Sequence, residues 1–308
     1  MSRRLILLAL LVAGTGCQPA PPEAPEGLED TARFLMREFY SDDATIGAGL
    51  TGLMDWYQAE GEALDGQTPT ATDTETVAAD YQLTPLVPSD LNVSQVTSSD
   101  RELEMAAGVM AVATLSCDWE QIEELGGRPD QDVIFEGDWA HYARTFDTDR
   151  SAYDSATAGR DFPRIDQPLD PLADGFDPGD TAESILWTTN PLGTSEFGVN
   201  LDYTLNINFR HGLYLVQDTE RHATLTMTWQ PDPTWGSGGN NALHQNWGVD
   251  ALVETDDGQV VRLVVIWSDV ESVATGTDLL VNLQVNRINR FAERMSAICD
   301  DPSLIPEE

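Results

Sequence analysis

Few residues of this chain combine the types and spacing that chemistry needs. The histidines are His141, His211, His222 and His244. Two of them sit in the dipeptides Arg210-His211 and Arg221-His222, near the ends of strand-like stretches. A tight meander would bring these imidazoles together, and with an acid nearby they would make a metal or acid–base site. Their spacing is not that of His-Glu-x-x-His, so the alternative is turn or edge histidines bonded to backbone. Asp170, Asp174, Asp177 and Asp180 share a Gly/Pro-rich stretch, and oxygen ligands suit Ca²⁺. They lack EF-hand spacing, as does Asp147-Thr148-Asp149, and read as solvated loops. Trp235-Gly236-Ser237-Gly238-Gly239-Asn240-Asn241 has no Lys and precedes a strand, whereas a phosphate cradle needs a Lys and a helix. It reads as a long hairpin loop. Trp235 and Trp247 at its base are either an aromatic contact patch for a glycan or partner, or core aromatics. There is no Gly-x-Ser-x-Gly elbow and no internal repeat. The sequence thus offers no catalytic constellation, names no cofactor, and leaves His211 and His222 as the only metal candidates.

The start of the chain carries a different kind of chemistry. Met1-Ser2-Arg3-Arg4 is basic, and Leu5–Ala13 is apolar but shorter than the roughly 20 residues that span a bilayer. Gly14-Thr15-Gly16 and Cys17 follow. A basic start, a short apolar run and a small-residue exit make a secretory signal peptide. With the cysteine placed directly after, residues 14–17 resemble the lipobox of bacterial lipoproteins, with Gly14 where that family usually has Leu. The resemblance implies removal of residues 1–16, a diacylglycerol on the Cys17 sulfur and an acyl chain such as palmitate on the new amino group. Each buried methylene contributes about 0.8 kcal/mol, so two or three chains anchor firmly. Gln18, in place of Asp, implies the outer rather than the inner membrane of the envelope. Residues 17–27, Pro-rich from Pro19, read as an extended spacer.

If Cys17 is lipidated, Cys117 and Cys299 remain as an even pair in an oxidising compartment such as the periplasm, which predicts a disulfide between them. It would close a loop of about 180 residues, worth about 5 kcal/mol at most in the chain-entropy model. The alternative is two buried thiols packed as small hydrophobes.

Composition narrows the partners. Acidic residues number 53 and basic ones 16, for a net charge of -37. Every basic residue is Arg. Loss of Arg3 and Arg4 with the leader takes the charge to -39. Such a surface excludes nucleic-acid binding and a polybasic membrane patch, which need clustered cations. Absence of Lys excludes a lysine nucleophile. The acids are scattered, as on a surface suited to high ionic strength; cation or basic-partner binding is the functional alternative.

The elements that would position any site change period along the chain. Glu29–Tyr40 reads as a helix, and Ser41-Asp42-Asp43 caps a second one running to about Gly61. Gly47, Gly49 and Gly52 either weaken that helix or let it pack closely. Arg101–Ser116, Ala- and Met-rich and apolar on most sides, reads as a buried helix. Asp118–Leu125 is a short helix ended by Gly126-Gly127. Residues 28–160 are therefore a mainly helical region, and 161–182 a Pro/Asp-rich loop. From residue 183 the period becomes two. Leu201, Tyr203, Leu205, Ile207 and Phe209 alternate with polar residues, as do Leu225, Met227 and Trp229. Asp257-Gly258 is a hairpin turn with Val260–Trp267 returning from it. One buried and one wet face are expected of such an antiparallel sheet. Asp278–Ile298 is a long helix with Val281, Val285, Ile288, Ala292 and Met295 on one face. Residues 183–299 thus form sheet plus helix, and 300–308 a tail.

The fold class is α+β: N-terminal helices, an antiparallel β-meander and a long C-terminal helix packed on it. Over residues 183–299 this element order resembles the helix-grip, or START-like, superfamily. That resemblance implies a space between sheet and helix able to hold a lipid or other apolar ligand. The function expected is that of a non-enzymatic cell-envelope lipoprotein, joined to the membrane by its N-terminal lipid and binding an apolar small molecule or an envelope protein. A metal-assisted hydrolase using His211 and His222, or a purely structural surface protein, are the alternatives.

Overall fold

The computed structural model describes residues 22–60, 82–127, 131–135, 139–146, 184–194, 201–237, 241–272 and 277–305. In chain order the helices α1 (Leu28–Arg37) and α2 (Asp43–Glu60) come first. Strands β1 (Gln82–Leu83) and β2 (Ala107–Leu115) follow, then helices α3 (Trp119–Gly127) and α4 (Gln131–Ile134) and the short strands β3 (His141–Tyr142) and β4 (Thr145–Phe146). The main strands are β5 (Ser184–Thr194), β6 (Leu201–Val216), β7 (Thr219–Trp229), β9 (Asn241–Glu254) and β10 (Val260–Ser272), with β8 (Thr234–Trp235) a short addition. Helix α5 (Thr277–Asp300) closes the order. The protein is α+β.

All the described strands belong to one antiparallel sheet in the order β1-β2-β10-β9-β7-β6-β5-β3, with β4 paired to β5 and β8 to β9. Alternation decides which side chain faces where. Ala223, Leu225, Met227 and Trp229 of β7 face α1 and α2, together with Trp247 and Val249 of β9 and Val265 and Trp267 of β10. Val264 of β10 faces the other way, against Val285 and Ile288 of α5. The sheet is therefore the middle of three layers. The expected wet face is covered, because α3 and α5 lie over it.

The hairpin of α1 and α2 follows from local chemistry. Leu28, Ala32, Leu35 and Met36 form the buried stripe of α1. The Asp42 carboxylate accepts the backbone N–H of Thr45 at 2.8 Å, an N-cap for α2. Gly47 lies against the backbone carbonyl of Leu215 on β6, where a side chain would collide, so close packing is its role. Between the helices, Arg210 of β6 is fully buried. It donates to the carbonyls of Phe39 and Ser41 at 2.6 Å each and to the Asp43 carboxylate at 3.2 Å. One guanidinium thus satisfies backbone acceptors where α1 ends and pairs with the first residue of α2.

The reading of Arg101–Ser116 as a helix is wrong. Ala107–Leu115 is strand β2, lying between β1 and β10. Val109, Ala111 and Leu115 are buried toward the α5 side, and Val112 toward the helical hairpin. A strand covered on both faces loses the two-residue alternation, and its apolar run is then indistinguishable by period from a buried helix. Residues 28–160 consequently supply strands to the sheet as well as helices.

Cys117 and Cys299 are disulfide-bonded, 182 residues apart in sequence. The bond ties the segment leading into α3 to the last turn of α5. Gln121 donates to the Cys299 carbonyl at 2.9 Å beside it, and Arg294 of α5 to the Ile134 carbonyl at 3.0 Å. Among the described residues no helix is long and apolar enough to cross a membrane.

Candidate functional site

On the α5 side of the sheet the side chains do not fill the space. A cavity of about 380 Å³ lies there, under α5 and between β6 and β10. The strand register explains it. Ile207 of β6 stands opposite Thr228 of β7, Thr228 opposite Gly248 of β9, and Gly248 opposite Ile266 of β10. The next row reads Phe209, Thr226, Asp250, Val264. Bulky residues occupy β6 and β10, while β7 and β9 contribute threonines, a glycine and an aspartate. The sheet surface is hollowed along its middle.

The walls are apolar. Leu201, Leu205, Ile207 and Phe209 line one side, and Ile288, Phe291 and Met295 of α5 form the roof. The floor carries polar groups, including Thr224, Thr226, Thr228, Asn246 and Ser268. Arg262 extends along β10 to Asp250, donating from Nε at 3.0 Å and from a terminal nitrogen in a bidentate pair. Its other terminal nitrogen lies 3.4 Å from the Met295 sulfur. A mostly apolar hollow with a few placed polar groups is the usual form of a small-molecule site.

At one side of the cavity an aromatic and arginine cluster is assembled by β3 and α5. The Arg287 guanidinium lies 3.7 Å from the centre of the Trp139 ring, and Trp139 sits 5.8 Å from Tyr142 between centroids. Arg144 donates to the Tyr142 hydroxyl at 3.0 Å, to Asn190 at 3.2 Å and to the Gly126 carbonyl at 2.9 Å. The indole nitrogen of Trp139 is buried and has no hydrogen-bond partner among the described residues.

His211 and His222 come together in the meander of β6 and β7. They lie on the same face of β6 and β7, and the Trp119 ring stacks on both, at 5.3 and 5.4 Å between centroids and 19° between planes. His211 Nδ1 is 2.7 Å from the Thr224 hydroxyl. Among the described residues no three His, Cys, Asp or Glu are placed to hold a metal ion. The two imidazoles pack against one indole, that of Trp119. His141 lies 3.8 Å from Asp202, and His244 is 3.0 Å from Glu271. Trp235 and Trp247 do not form a joint patch. Trp247 is buried against the helical hairpin, whereas Trp235 is exposed and meets His244 edge-on. Cys17, the residues up to 21 read as signal peptide and spacer, Asp147-Thr148-Asp149, and Asp170, Asp174, Asp177 and Asp180 lie outside the described residues.

Sequence reasoning missed the threonine row of β7, the Asp250–Arg262 pair and the Trp139 cluster. The alternation Thr224, Thr226, Thr228 was visible but pointed to solvent. Arg262 and Asp250 come together only through the pairing of β9 with β10.

No protein-family model and no curated protein matches the chain. Among solved structures, a START superfamily protein from Mycobacterium smegmatis is similar at 10% identity, covering 64% of this chain and 99% of that one with a TM-score of 0.33. A likeness at that level carries no argument, and the functional reading rests on the cavity.

Proposed function

We propose that this protein is a non-enzymatic binding protein of the cell envelope. It holds an apolar small molecule between sheet and C-terminal helix, and is tethered to the membrane by a lipid on Cys17. The observation that carries the binding part is the cavity of about 380 Å³ with apolar walls, within the range of about 300–1,000 Å³ typical of small-molecule sites. The anchor part rests on the leader and on the charge, since a body at -39 is not held to an anionic membrane by electrostatics.

Native mass spectrometry of protein extracted from membranes tests both parts. The expected spectrum shows acyl mass on Cys17 and a co-purifying or added apolar molecule such as N-phenyl-1-naphthylamine. Thr226→Leu, which fills the floor, should lower affinity for that probe at least tenfold while the protein stays folded. An unacylated Cys17 would remove the anchor, and a chain that retains no apolar molecule and takes up no probe would remove the ligand.

A further inference from the structure

The floor of the cavity holds hydroxyl groups that the protein itself leaves unused. Thr224, Thr226 and Thr228 of β7 face the hollow in one column. Side chains on one face of a strand recur about every 7 Å, so the column is about 14 Å long. Some of the floor is already engaged: the Thr224 hydroxyl is 2.7 Å from His211 Nδ1, and Asn246 donates to Ser268 at 2.8 Å. The hydroxyls of Thr226 and Thr228 have no hydrogen-bond partner among the described residues. Both threonines are only partly buried, so both are reached from the hollow. Gly248 keeps one of them uncovered. It stands opposite Thr228 on β9, and a Cβ there would lie 2.6 Å from the Thr228 hydroxyl oxygen. Any side chain at that position would close over the hydroxyl.

The depth of the hollow sets how a ligand lies. At its edge Val285 and Ile288 of α5 pack with Val264 of β10. That contact holds the roof about 10 Å above the sheet, the thickness of one packed layer. A hydrocarbon longer than this has to lie along the strands. The register places Leu205 and Leu243 beyond Thr228, and Leu252 at the Thr224 end. The ends of such a molecule therefore meet apolar side chains, and its middle lies over Thr226 and Thr228. Methylenes laid there would strip both hydroxyls of water and leave them unpaired, which is costly in a buried site. An oxygen at the middle of the ligand avoids that cost, whereas an oxygen at its end does not.

We infer that the cavity takes an apolar molecule oxygenated near its middle, with a hydroxyl or ketone partway along the hydrocarbon instead of at its end. A ketone oxygen accepts from the Thr226 or Thr228 hydroxyl, and a ligand hydroxyl can also donate to it. The two hydrocarbon ends lie along the sheet under α5. This assignment rests on the ligand-binding reading above and specifies its ligand.

Displacement of N-phenyl-1-naphthylamine from the full chain tests it. The competitors are the isomers dodecan-6-ol and dodecan-1-ol, with dodecan-6-one as the ketone. Dodecan-6-ol or dodecan-6-one should bind at least five times tighter than dodecan-1-ol. Thr226→Val and Thr228→Val keep the side-chain shape and remove the hydroxyl. At least one of them should weaken the mid-chain ligand about three- to tenfold, as for the loss of one hydrogen bond. Each should leave the probe and dodecan-1-ol within twofold, which also shows that the variant is folded. Equal affinity of the isomers, or tighter binding of dodecan-1-ol, would overturn the assignment while the probe still bound. So would valine variants that leave the preference intact or weaken all ligands alike. Failure of every ligand including the probe would instead overturn the binding function itself.

Discussion

Trp229, Trp247 and Trp267 stand in one row across β7, β9 and β10, facing the helical hairpin, and each is essentially inaccessible to solvent. One residue along the same three strands, facing the other way, the row is Thr228, Gly248 and Ile266, and the space above it is open. Backbone, register and twist are shared, so side-chain volume alone separates a filled core from a cavity. The tryptophan face closes because each ring buries about 150–250 Å² and no polar group other than the indole needs a partner. The threonine face does not close, and α5 is held over it partly by the Cys117–Cys299 bond and by polar ties such as Arg294 to Ile134. Packing secures one side. On the other, covalent and polar ties hold the roof of a space that packing leaves empty.

This contrast can be broken from either side. The largest effect should come from the double substitution Cys117→Ser, Cys299→Ser. Opening a loop of 182 residues costs up to about 5 kcal/mol in the chain-entropy model. Hydrogen exchange should rise first in α3 and α5 while α1 and α2 stay protected. Equal loss of protection in both layers would show that the two faces are not separable. Next, Trp247→Ala should destabilise by about 3–5 kcal/mol in urea melts, since a large cavity opens in a filled core. A loss below about 1 kcal/mol would mean that this face is no better packed than the other.

The smallest effect probes the rim of the packed face, where Glu29 of α1 meets Thr84. Burial by itself would raise the Glu29 carboxyl, but hydrogen bonds from Thr84 and Arg33 outweigh it and hold the group below its ordinary value. A depressed folded pKa stabilises above the unfolded value, near 4.3, and that stabilisation disappears as pH falls through the folded value. Glu29→Gln should therefore cost less than about 1 kcal/mol at pH 7, as for a partly exposed pair. The two proteins should converge in urea melts taken below the folded pKa. A difference that persists or grows in acid would mean that the ionised carboxylate is not what binds α1 to this segment.

Much of the fold was legible where one face of an element is polar. Leu201 to Phe209 declared β6 by alternation, Asp257-Gly258 declared its hairpin through a glycine at positive φ, and Val285 to Met295 declared the buried stripe of α5. The turn between β6 and β7 was missed because Gln217 and Asp218 adopt positive φ without glycine. Contacts from α2 hold it, among them Thr51 accepting the Gln217 N–H at 3.0 Å. Strand β2 was missed for the opposite reason: covered on both faces, it has no polar side to reveal its period.

By itself the sequence determined the class of the fold, the acidic charge, and Cys117 and Cys299 as candidates for a disulfide. Those properties depend on composition and on neighbours a few residues apart. Tertiary structure decided the site. Whether Thr224, Thr226 and Thr228 meet water or line a cavity depends on what crosses above them. That is α5, which begins some fifty residues further along the chain. The Arg287–Trp139–Tyr142–Arg144 cluster likewise exists only where β3 and α5 converge. Contacts between residues so far apart leave no periodic trace in the chain, because they are fixed by strand pairing and layer packing.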